Sequence, residues 1–384
     1  MALFASEISR RPPRFAEKAR LIPWGLIGLV TLASGIGFLM LYSAGNGHIR
    51  PWAGRQAIHF AIAFVPMVAA AFVDPRHWFR GAYAAYGAAL LLVLLVDLRG
   101  LAGMGAQRWI NLGVIQLQPS ELMSLALVLA LARYFHSRRE EEVGRLLPLV
   151  LPVLLILLPV AVVLKEPDLG TAAMLLLTGT AMLFLAGVRA RVFAAAAIAA
   201  AGSVPVVWHF LHRYQKERIA TFLHPNSDPL GAGYHILQSK IALGSGGLFG
   251  AGFLQGSQAH LSFLPEKATD FIFTMLAEEL GFIGAIALLG LYVLIIAYAL
   301  LIALRCRNRF GRLLGLGIVT NFFLYAFINM AMVMGLVPVV GIPLPLVSYG
   351  GTAMLAMMFG FGLLFSVCVH RDERMNRQGR TQGG

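Results

Sequence analysis

Charged residues are scarce in this sequence of 384 residues. Asp, Glu, Lys and Arg make up 13% of it, against about 25% in a typical soluble domain. Hydrophobic residues make up 58%. This is more apolar surface than one soluble core can bury, and it falls into runs long enough to cross a bilayer. The scarcity of charge therefore excludes an ordinary soluble protein and predicts an integral membrane protein.

Cysteines are few and nucleotide-binding motifs are absent. The chain has only Cys306 and Cys368, too few for a disulfide framework or a thiolate metal site. It contains no GxGxxG motif and no Gly-Lys-Ser/Thr sequence, so neither a dinucleotide fold nor an NTP-binding loop is supported. The net charge is +13, but the basic residues fall in short clusters between apolar runs. They form no continuous stripe, which argues against nucleic acid as a partner.

The apolar residues form ten segments that are long enough to be membrane helices. We therefore predict an all-α integral membrane protein with about ten transmembrane helices. The first segment is too long for the core of a signal peptide and further spans follow it, so we expect it to be retained. The predicted spans are residues 24–43, 56–73, 79–96, 119–136, 146–164, 170–187, 192–211, 270–304, 312–337 and 347–369.

The placement of Lys and Arg predicts the orientation, because short cytoplasmic segments carry an excess of positive charge. With the N-terminus inside, 21 of the 31 Lys and Arg residues lie in cytoplasmic segments. We expect residues 1–22 to form a cytoplasmic N-terminal tail, 23–370 one polytopic membrane domain, and 371–384 a cytoplasmic C-terminal tail. The long segment of about 212–269, between the seventh and eighth helices, is then a large external loop.

Asp270 stands where this external loop re-enters the membrane, in the sequence FLPEKATDFIFTMLAEELG at 263–281. An acidic side chain at the edge of the hydrocarbon loses hydration, which is costly unless a function retains it. A carboxylate that faces water beside an apolar cavity could accept the proton of a sugar hydroxyl group. Asp270 is therefore the first candidate for a catalytic residue.

Two further external segments carry candidate binding residues. Arg108 and Trp109 lie in an amphipathic stretch that ends at Glu121, in the first turn of a predicted helix. A glutamate at that position can also serve only to complement the helix dipole. The sequence KEPDLGTA at 165–172 contains Asp168 between two spans, and a local ion pair with Lys165 is the alternative explanation for it.

The external loop is rich in glycine, with eight glycines between Gly231 and Gly256. Bare N–H groups of such a backbone can bind phosphate, and Lys240 would assist. Close packing of turns against helices is the alternative explanation for the glycines. The uncharged segment 337–354 is broken by prolines, and irregular backbone at membrane depth must line a cavity or be buried in protein. All these segments lie on the same side as Asp270, and we expect them to converge on one cavity.

These residues make the chain resemble the SEDS family (shape, elongation, division and sporulation) of peptidoglycan glycosyltransferases. The resemblance covers roughly residues 20–370, and Asp270 matches the carboxylate that the family treats as catalytic. The stretch GIPLPLVSYGGT at 341–352 is similar to that of the elongation branch, since the division branch usually has Thr at the position of Pro343. The matching stretches are GAQRWI (105–110), QPSEL (118–122), EPDLGTA (166–172), GYHILQSKIALGSGGLFG (233–250), FLPEKATDFIFTMLAEELG (263–281) and GIPLPLVSYGGT (341–352).

The chain departs from the family pattern at two positions. Members often carry a basic residue near Gln116 and Lys at the position of Ser124. The cations that bind substrate phosphate would then have to be others, such as Arg108 or Lys240. A divalent cation, Mg²⁺ or Mn²⁺, would serve the same purpose, and no other cofactor is implied.

The resemblance implies that the protein polymerises lipid II into glycan strands during cell elongation and the maintenance of rod shape. Its implied location is the bacterial cytoplasmic membrane. Its implied partners are lipid II, undecaprenyl-linked glycan, a class B penicillin-binding protein transpeptidase and other membrane proteins of the elongation complex. Asp270 would be the catalytic residue. The substrate-binding residues would be Arg108, Trp109, Glu121, Asp168 and Lys240.

Two other functions fit the same composition. A lipid II flippase would also be a bundle of many helices, and Glu278 and Glu279 are the acids that such a transporter would need inside the membrane. No internal repeat accompanies them. A non-catalytic scaffold of the elongation machinery would tolerate the loss of Asp270, whereas a polymerase would not.

Overall fold

The computed structural model describes most of the chain, and nearly all of that part is helical. The described residues are 15–99, 101–103, 106–111, 116–166, 168–210, 213–223, 232–260, 266–373 and 375–379. A helix occupies each of the ten predicted spans. These helices are α2 (Trp24–Ala44), α3 (Ala53–Phe72), α4 (Pro75–Arg99), α5 (Pro119–Ser137), α7 (Leu146–Lys165), α8 (Leu169–Leu185), α9 (Ala190–Phe210), α13 (Ile272–Arg305), α14 (Arg309–Val333) and α15 (Gly351–Val369).

Seven of these helices are long and apolar enough to cross a membrane by their length and composition, namely α2, α3, α4, α7, α13, α14 and α15. Helix α8 and the apolar part of α9 are shorter, and α5 is not among the seven. The helical membrane fold is therefore confirmed for most of the described chain, while the number of ten spans stays a prediction.

The core of the bundle consists of α5, α14 and α15, which are the most enclosed of the long helices. Helix α15 packs along α3, α5 packs against α4, and α14 contacts α5, α8 and α13. Small residues permit these close approaches, as membrane helix interfaces require. At Gly362 on α15, for example, a side chain would meet the backbone of Met67 on α3. The outer helices expose large apolar side chains, as lipid-facing surfaces do.

A small antiparallel sheet lies between α4 and α5, in the stretch predicted only to be amphipathic. It consists of β1 (Leu101–Gly103), β2 (Ala106–Asn111) and β3 (Gln116–Leu117), in the order β1-β2-β3. Its register pairs Leu101 with Trp109 and Asn111 with Gln116. The strands are too short to give a clear alternating pattern, so the sequence did not reveal them.

The external loop of 212–269 is also more ordered than predicted. It contains α10 (Arg213–Leu223), α11 (Ala232–Ser245) and α12 (Ser257–His260). The two remaining short helices, α1 (Phe15–Leu21) and α6 (Glu140–Val143), lie in the segments predicted to be cytoplasmic. Residues 224–231 and 261–265 of this loop lie outside the described residues.

Helix α13 is interrupted at Gly281, whose φ of 67° and ψ of −166° are accessible to glycine almost alone. Segment 246–252 of the external loop packs into this break. Ala251 N donates to Glu278 O (2.9 Å), and Phe282 N donates to Gly247 O (2.9 Å). The loop thus satisfies main-chain groups that the broken helix leaves without partners. This contact fixes the loop against the helix that Asp270 precedes.

Candidate functional site

Asp270 lies in a turn of residues 266–271 that directly precedes α13, and its side chain is half-buried. This turn is joined to the irregular segment 334–350 between α14 and α15. Tyr349 N donates to Ala268 O (2.9 Å), and Ser348 Oγ donates to Thr269 O (2.5 Å). The prolines of this segment prevent a helix, so its backbone is available for these contacts. The two segments predicted to converge are therefore in direct contact.

Asn329 near the end of α14 connects the same two segments. Its side-chain Nδ2 donates to the main-chain oxygens of Asp270 (2.8 Å) and Ile342 (2.7 Å). Asn329 is fully buried, and its hydrogen bond to Ile342 is buried while the one to Asp270 is partly buried. The amide therefore fixes the backbone at Asp270 from a neighbouring helix.

The carboxylate of Asp270 faces Gly341 of the irregular segment. A β-carbon at Gly341 would lie 3.3 Å from Asp270 Oδ2. Gly341 also has a φ of 71°, which is unfavourable for residues with a side chain. Glycine at this position keeps the space beside the carboxylate open and permits the turn.

Gln56 of α3 holds the far end of the irregular segment. Its Nε2 donates to Ser348 O (2.9 Å), and its Oε1 accepts from Gly350 N (3.2 Å). Gln56 is 1% exposed. This side chain satisfies two main-chain groups where the segment turns into α15, and it holds the segment against the bundle. Sequence reasoning did not identify Gln56 or Asn329, because a lone amide in an apolar helix gives no signal of its distant partner.

Asp168 is buried and caps the N-terminus of α8. Its Oδ1 accepts from Thr171 N (3.1 Å), and its Oδ2 accepts from Thr171 Oγ1 (2.8 Å). Gln118 Nε2 lies 3.4 Å from the same Oδ2. These are the hydrogen bonds of an N-cap, and they hold the carboxylate in its observed position.

Glu121 is also buried, in the first turn of α5 near Asp168. It lines a small cavity with Asn321, Tyr325 and Ala353. Its Oε2 has no hydrogen-bond partner in the described part of the chain. A buried carboxylate oxygen without a partner is costly, and the first-turn position still allows Glu121 to complement the helix dipole.

The sheet is attached to the same end of the bundle through Thr352 of α15. Thr352 Oγ1 donates to Gln116 O (2.7 Å) and accepts from Gln118 N (3.1 Å). Trp109 is half-buried in β2. Arg108 precedes it in the strand, and its side chain lies outside the described residues. The structure thus brings the backbone of Arg108 to the end of the bundle that carries Asp270.

Lys240 lies on α11 with much of its side chain exposed. Its ammonium group is adjacent to Gly335, in the turn that follows α14. Ser239 attaches α11 to this region, since its hydroxyl donates to Val333 O (2.7 Å) and lies 2.8 Å from Thr274 Oγ1. Lys240 is therefore held at the edge of the irregular segment.

Lys267 was missed by sequence reasoning, although it lies within the motif three residues before Asp270. Its side chain is 7% exposed. Burial lowers the pKa of Lys267, and the carboxylate of Glu279 opposes this shift. A charged lysine with so little access to water needs nearby negative charge. Glu279 supplies that charge.

Glu278 and Glu279 have different partners. Glu278 Oε1 accepts from Gln258 N (2.7 Å), which ties α13 to α12 of the external loop. Glu279 Oε1 accepts from Ser43 Oγ (2.5 Å), which ties α13 to α2. Adjacent residues of a helix point about 100° apart, which explains the separate contacts. Both carboxylates thus accept hydrogen bonds that join α13 to neighbouring parts of the structure.

Two further features concern a metal ion and an apolar groove. In the described part of the chain, no three His, Cys, Asp or Glu side chains come together to hold a metal ion. Mg²⁺ often uses only one or two carboxylates together with substrate phosphates, so such an ion would not need a cluster of three protein ligands. A groove of about 810 Å³ between α11, α13 and α14 is almost wholly apolar. The predicted site residues whose side chains the structure describes do not line it.

This arrangement can be compared with known proteins. The model of the FtsW/RodA/SpoVE family of cell cycle proteins matches residues 19–373. The chain belongs to this family. It is 43% identical over 358 residues to the peptidoglycan glycosyltransferase MrdB of Escherichia coli (strain K12), covering 93% of this chain and 96% of the relative.

Two solved structures of similar proteins agree with the family fold. One belongs to a study of the coordination of polymerization and crosslinking by a peptidoglycan synthase complex. It has a TM-score of 0.80 at 34% identity and covers 91% of this chain and 98% of that one. The other is the rod shape-determining protein RodA of Thermus thermophilus, with a TM-score of 0.69 at 30% identity, covering 92% and 98%. This FtsW/RodA/SpoVE protein is a multi-pass membrane protein.

Proposed function

We propose that this protein is a peptidoglycan glycosyltransferase that polymerises lipid II into glycan strands during cell elongation. The observation that carries the proposal is the half-buried Asp270 carboxylate beside Gly341, held by the two converging segments and by Asn329. The 43% identity to a peptidoglycan glycosyltransferase supports the reaction class. The membrane fold supports a lipid-linked donor rather than a soluble nucleotide sugar.

The proposed reaction is a single displacement. The 4-hydroxyl of a GlcNAc unit attacks the anomeric carbon of MurNAc on the growing, lipid-linked chain. A new C–O bond forms while the bond from that carbon to the pyrophosphate oxygen breaks. Asp270 accepts the hydroxyl proton, and undecaprenyl pyrophosphate leaves with the bonding electron pair. One displacement inverts the anomeric centre and gives a β-linkage.

Asp270 is suited to this role by its position. Partial burial excludes some water, while the opening beside Gly341 leaves the carboxylate accessible to a hydroxyl group. A positioned general base typically contributes about 10²–10⁴-fold to a rate. Gly341 and Asn329 would act as positioning residues, since they shape and hold the turn rather than exchange the proton.

The substrate-binding residues are proposed from their place around this end of the bundle. Arg108 and Lys240 would stabilise the departing pyrophosphate, as preorganised cations do for developing negative charge. Trp109 would contact a sugar ring with its apolar face. Glu121 and Asp168 carry buried carboxylate oxygens that suit hydroxyl or amide donors of the glycan.

The flippase and scaffold functions gain no support from particular residues. Glu278 and Glu279 were the best argument for a transporter, and both accept hydrogen bonds that assemble the external loop and α2. A scaffold would not require a carboxylate held by converging segments. Glycan polymerisation accounts for these features more directly.

The proposed partner is a class B penicillin-binding protein transpeptidase, together with other membrane proteins of the elongation complex. The similarity to a protein of a complex that coordinates polymerization and crosslinking supports this. The proposed location is the bacterial cytoplasmic membrane, with one domain at 23–370 and cytoplasmic tails at 1–22 and 371–384.

Polymerisation of purified lipid II by the wild type and by Asp270→Asn tests the function. The variant keeps the shape of the side chain and removes the base, so we expect normal insertion but no glycan strands on a gel. Asp372→Asn is the matched control, because Asp372 is exposed at the opposite end and pairs with Arg307. Near wild-type polymerisation by Asp270→Asn would refute the assignment.

Thiol labelling tests the orientation. A cysteine at the exposed Ser257 should react with an impermeant maleimide added outside intact cells. A cysteine at Ser137, which is exposed at the opposite end of α5, should react only after lysis. Because the native Cys306 and Cys368 are buried, the protein without an added cysteine gives the background labelling. The reverse pattern would place Asp270 on the wrong side for this substrate.

A further inference from the structure

A strongly basic cleft lies at the opposite end of the bundle from Asp270. It is formed where α5 ends, where α14 begins and where the chain continues after α15. Its volume is about 980 Å³, and its lining is mostly polar. The orientation predicted from Lys and Arg places this end in the cytoplasm. The arginines that line the cleft are Arg138, Arg139, Arg307, Arg309, Arg312 and Arg377.

Acidic side chains neutralise only part of this charge. Arg138 pairs with Glu142 (3.6 Å), and Arg307 pairs with Asp372 (3.5 Å). Glu141 also lines the cleft. Three arginines remain that have no carboxylate within 4.0 Å among the described residues, and their side chains are exposed. These are Arg139, Arg312 and Arg377.

Two buried side chains of the cleft keep a polar atom without a hydrogen-bond partner. His136 is 6% exposed and Asn308 is 4% exposed. His136 Nε2 contacts Asn376 O (2.9 Å), while no partner of its Nδ1 lies in the described part of the chain. Asn308 Oδ1 caps α14 at Gly311 N (2.5 Å), and its Nδ2 likewise has no described partner. Buried polar atoms normally have partners, so both side chains keep unused hydrogen-bonding capacity in the wall of the cleft.

A smaller cavity of mixed polar and apolar lining lies beside the cleft. This second cavity has a volume of about 330 Å³ and shares Arg309 and Arg312 with the cleft. Its other walls include Leu185 at the end of α8, and Leu313 and Leu316 on α14. Arg309 is held between the two, since it donates to Arg138 O (3.1 Å) and lies 3.5 Å from Ala186 O. Positive charge is thus adjacent to an apolar surface at the ends of membrane helices.

We propose that the cleft binds the phosphate headgroup of an anionic phospholipid from the leaflet predicted to be cytoplasmic. Arg139, Arg312 and Arg377 bind the phosphate, and the start of an acyl chain lies against the partly exposed Leu185 and Leu316. Basic pockets between membrane helices on the cytoplasmic side are suited to such headgroups. A soluble phosphate compound would use the arginines but would gain nothing from these leucine side chains, so the combination favours a lipid.

Binding to the purified full-length protein, measured by native mass spectrometry, tests the proposal. The ligands are phosphatidylglycerol, phosphatidylcholine with the same acyl chains, and free glycerol phosphate. The cleft variant is Arg139→Gln/Arg312→Gln/Arg377→Gln. The matched control is Arg80→Gln/Arg145→Gln/Arg191→Gln, which removes three exposed arginines from the same end but outside the cleft.

We expect phosphatidylglycerol to bind at least tenfold more tightly than phosphatidylcholine or glycerol phosphate. Each basic residue near an anionic lipid contributes roughly fivefold in affinity, so the cleft variant should lose on the order of 100-fold. The control variant should lose no more than about tenfold in affinity for phosphatidylglycerol. If the cleft variant does not fold, the Arg→Lys triple variant keeps the charge and should retain phosphatidylglycerol binding.

Three results would overturn the proposal. Equal binding of the two lipids would remove the preference for an anionic headgroup. An equal loss in the control variant would indicate only general attraction to a basic surface. Glycerol phosphate binding as tightly as the lipid would identify a soluble phosphate as the ligand. Because the measurement is binding at the opposite end of the bundle, its outcome is independent of glycan polymerisation.

Discussion

Asn329 holds two main-chain segments with one amide nitrogen, and this makes its replacement by leucine informative. Asn329→Leu keeps a similar volume and removes both hydrogen bonds, to Asp270 O (2.8 Å) and to Ile342 O (2.7 Å). Both oxygens belong to the segments that meet at the Asp270 carboxylate. The substitution therefore loosens the proposed site without removing any group that would touch the substrate.

The expected magnitudes differ for stability and activity. Each buried group left without its partner costs about 1–3 kcal/mol, so two oxygens would cost roughly 2–6 kcal/mol. Part of this is offset, because leucine also removes Asn329 Oδ1, which has no hydrogen-bond partner among the described residues. A shift of about 1 Å in a catalytic group can cost on the order of 10²-fold in rate. We therefore expect a polymerisation rate per folded protein lower by about that factor.

The assay compares lipid II polymerisation with thermal unfolding for Asn329→Leu and Ser366→Ala. Ser366→Ala is a better control than Asn321→Leu, because Asn321 lines the cavity of Glu121, whereas Ser366 is buried at the opposite end of the bundle and its Oγ donates to Val73 O (2.6 Å). The control should lose stability but keep its activity per folded molecule. If Asn329→Leu polymerises as fast as the control, the amide does not position Asp270, and the reasoning is wrong.

Two further substitutions test how α13 is held. Gly281→Ala should destabilise the protein by at least about 1–3 kcal/mol, from backbone strain and from contact of the new β-carbon with Gly250 and Leu248. In Gly290→Ala on the same helix, the new β-carbon meets no atom within 4 Å, so this variant should be neutral or stabilising. Similar unfolding temperatures for the Gly281 and Gly290 variants would contradict the requirement for glycine at the break. Glu279→Gln should impair polymerisation more than Glu278→Gln, because it removes the negative charge near buried Lys267, whereas glutamine at 278 can still accept from Gln258 N. Equal effects, measured against protein abundance in membranes, would count against that role of Glu279.

The positions of the membrane helices follow from the sequence alone. A lipid environment requires every backbone polar group to be satisfied within the segment, so a long apolar run must form a helix. The predicted span 146–164 corresponds to Leu146–Lys165, and the predicted span 347–369 to Gly351–Val369. The position of Asp270 at the start of a membrane helix also follows from local sequence, because the polar loop and the apolar run meet there.

The surroundings of Asp270 were decided only by the tertiary structure. Gln56 and Ser348 are 292 residues apart in the chain, and Asn329 and Asp270 are 59 apart. No local pattern specifies such pairs, since they depend on which helices pack together and at what height. The same holds for β1–β3, whose strands are short, and for the break at Gly281, which is stable only because segment 246–252 fills it. The sequence thus determined where the chain crosses the membrane, and packing determined what holds the carboxylate, because hydrogen bonds between distant segments exist only once the bundle has formed.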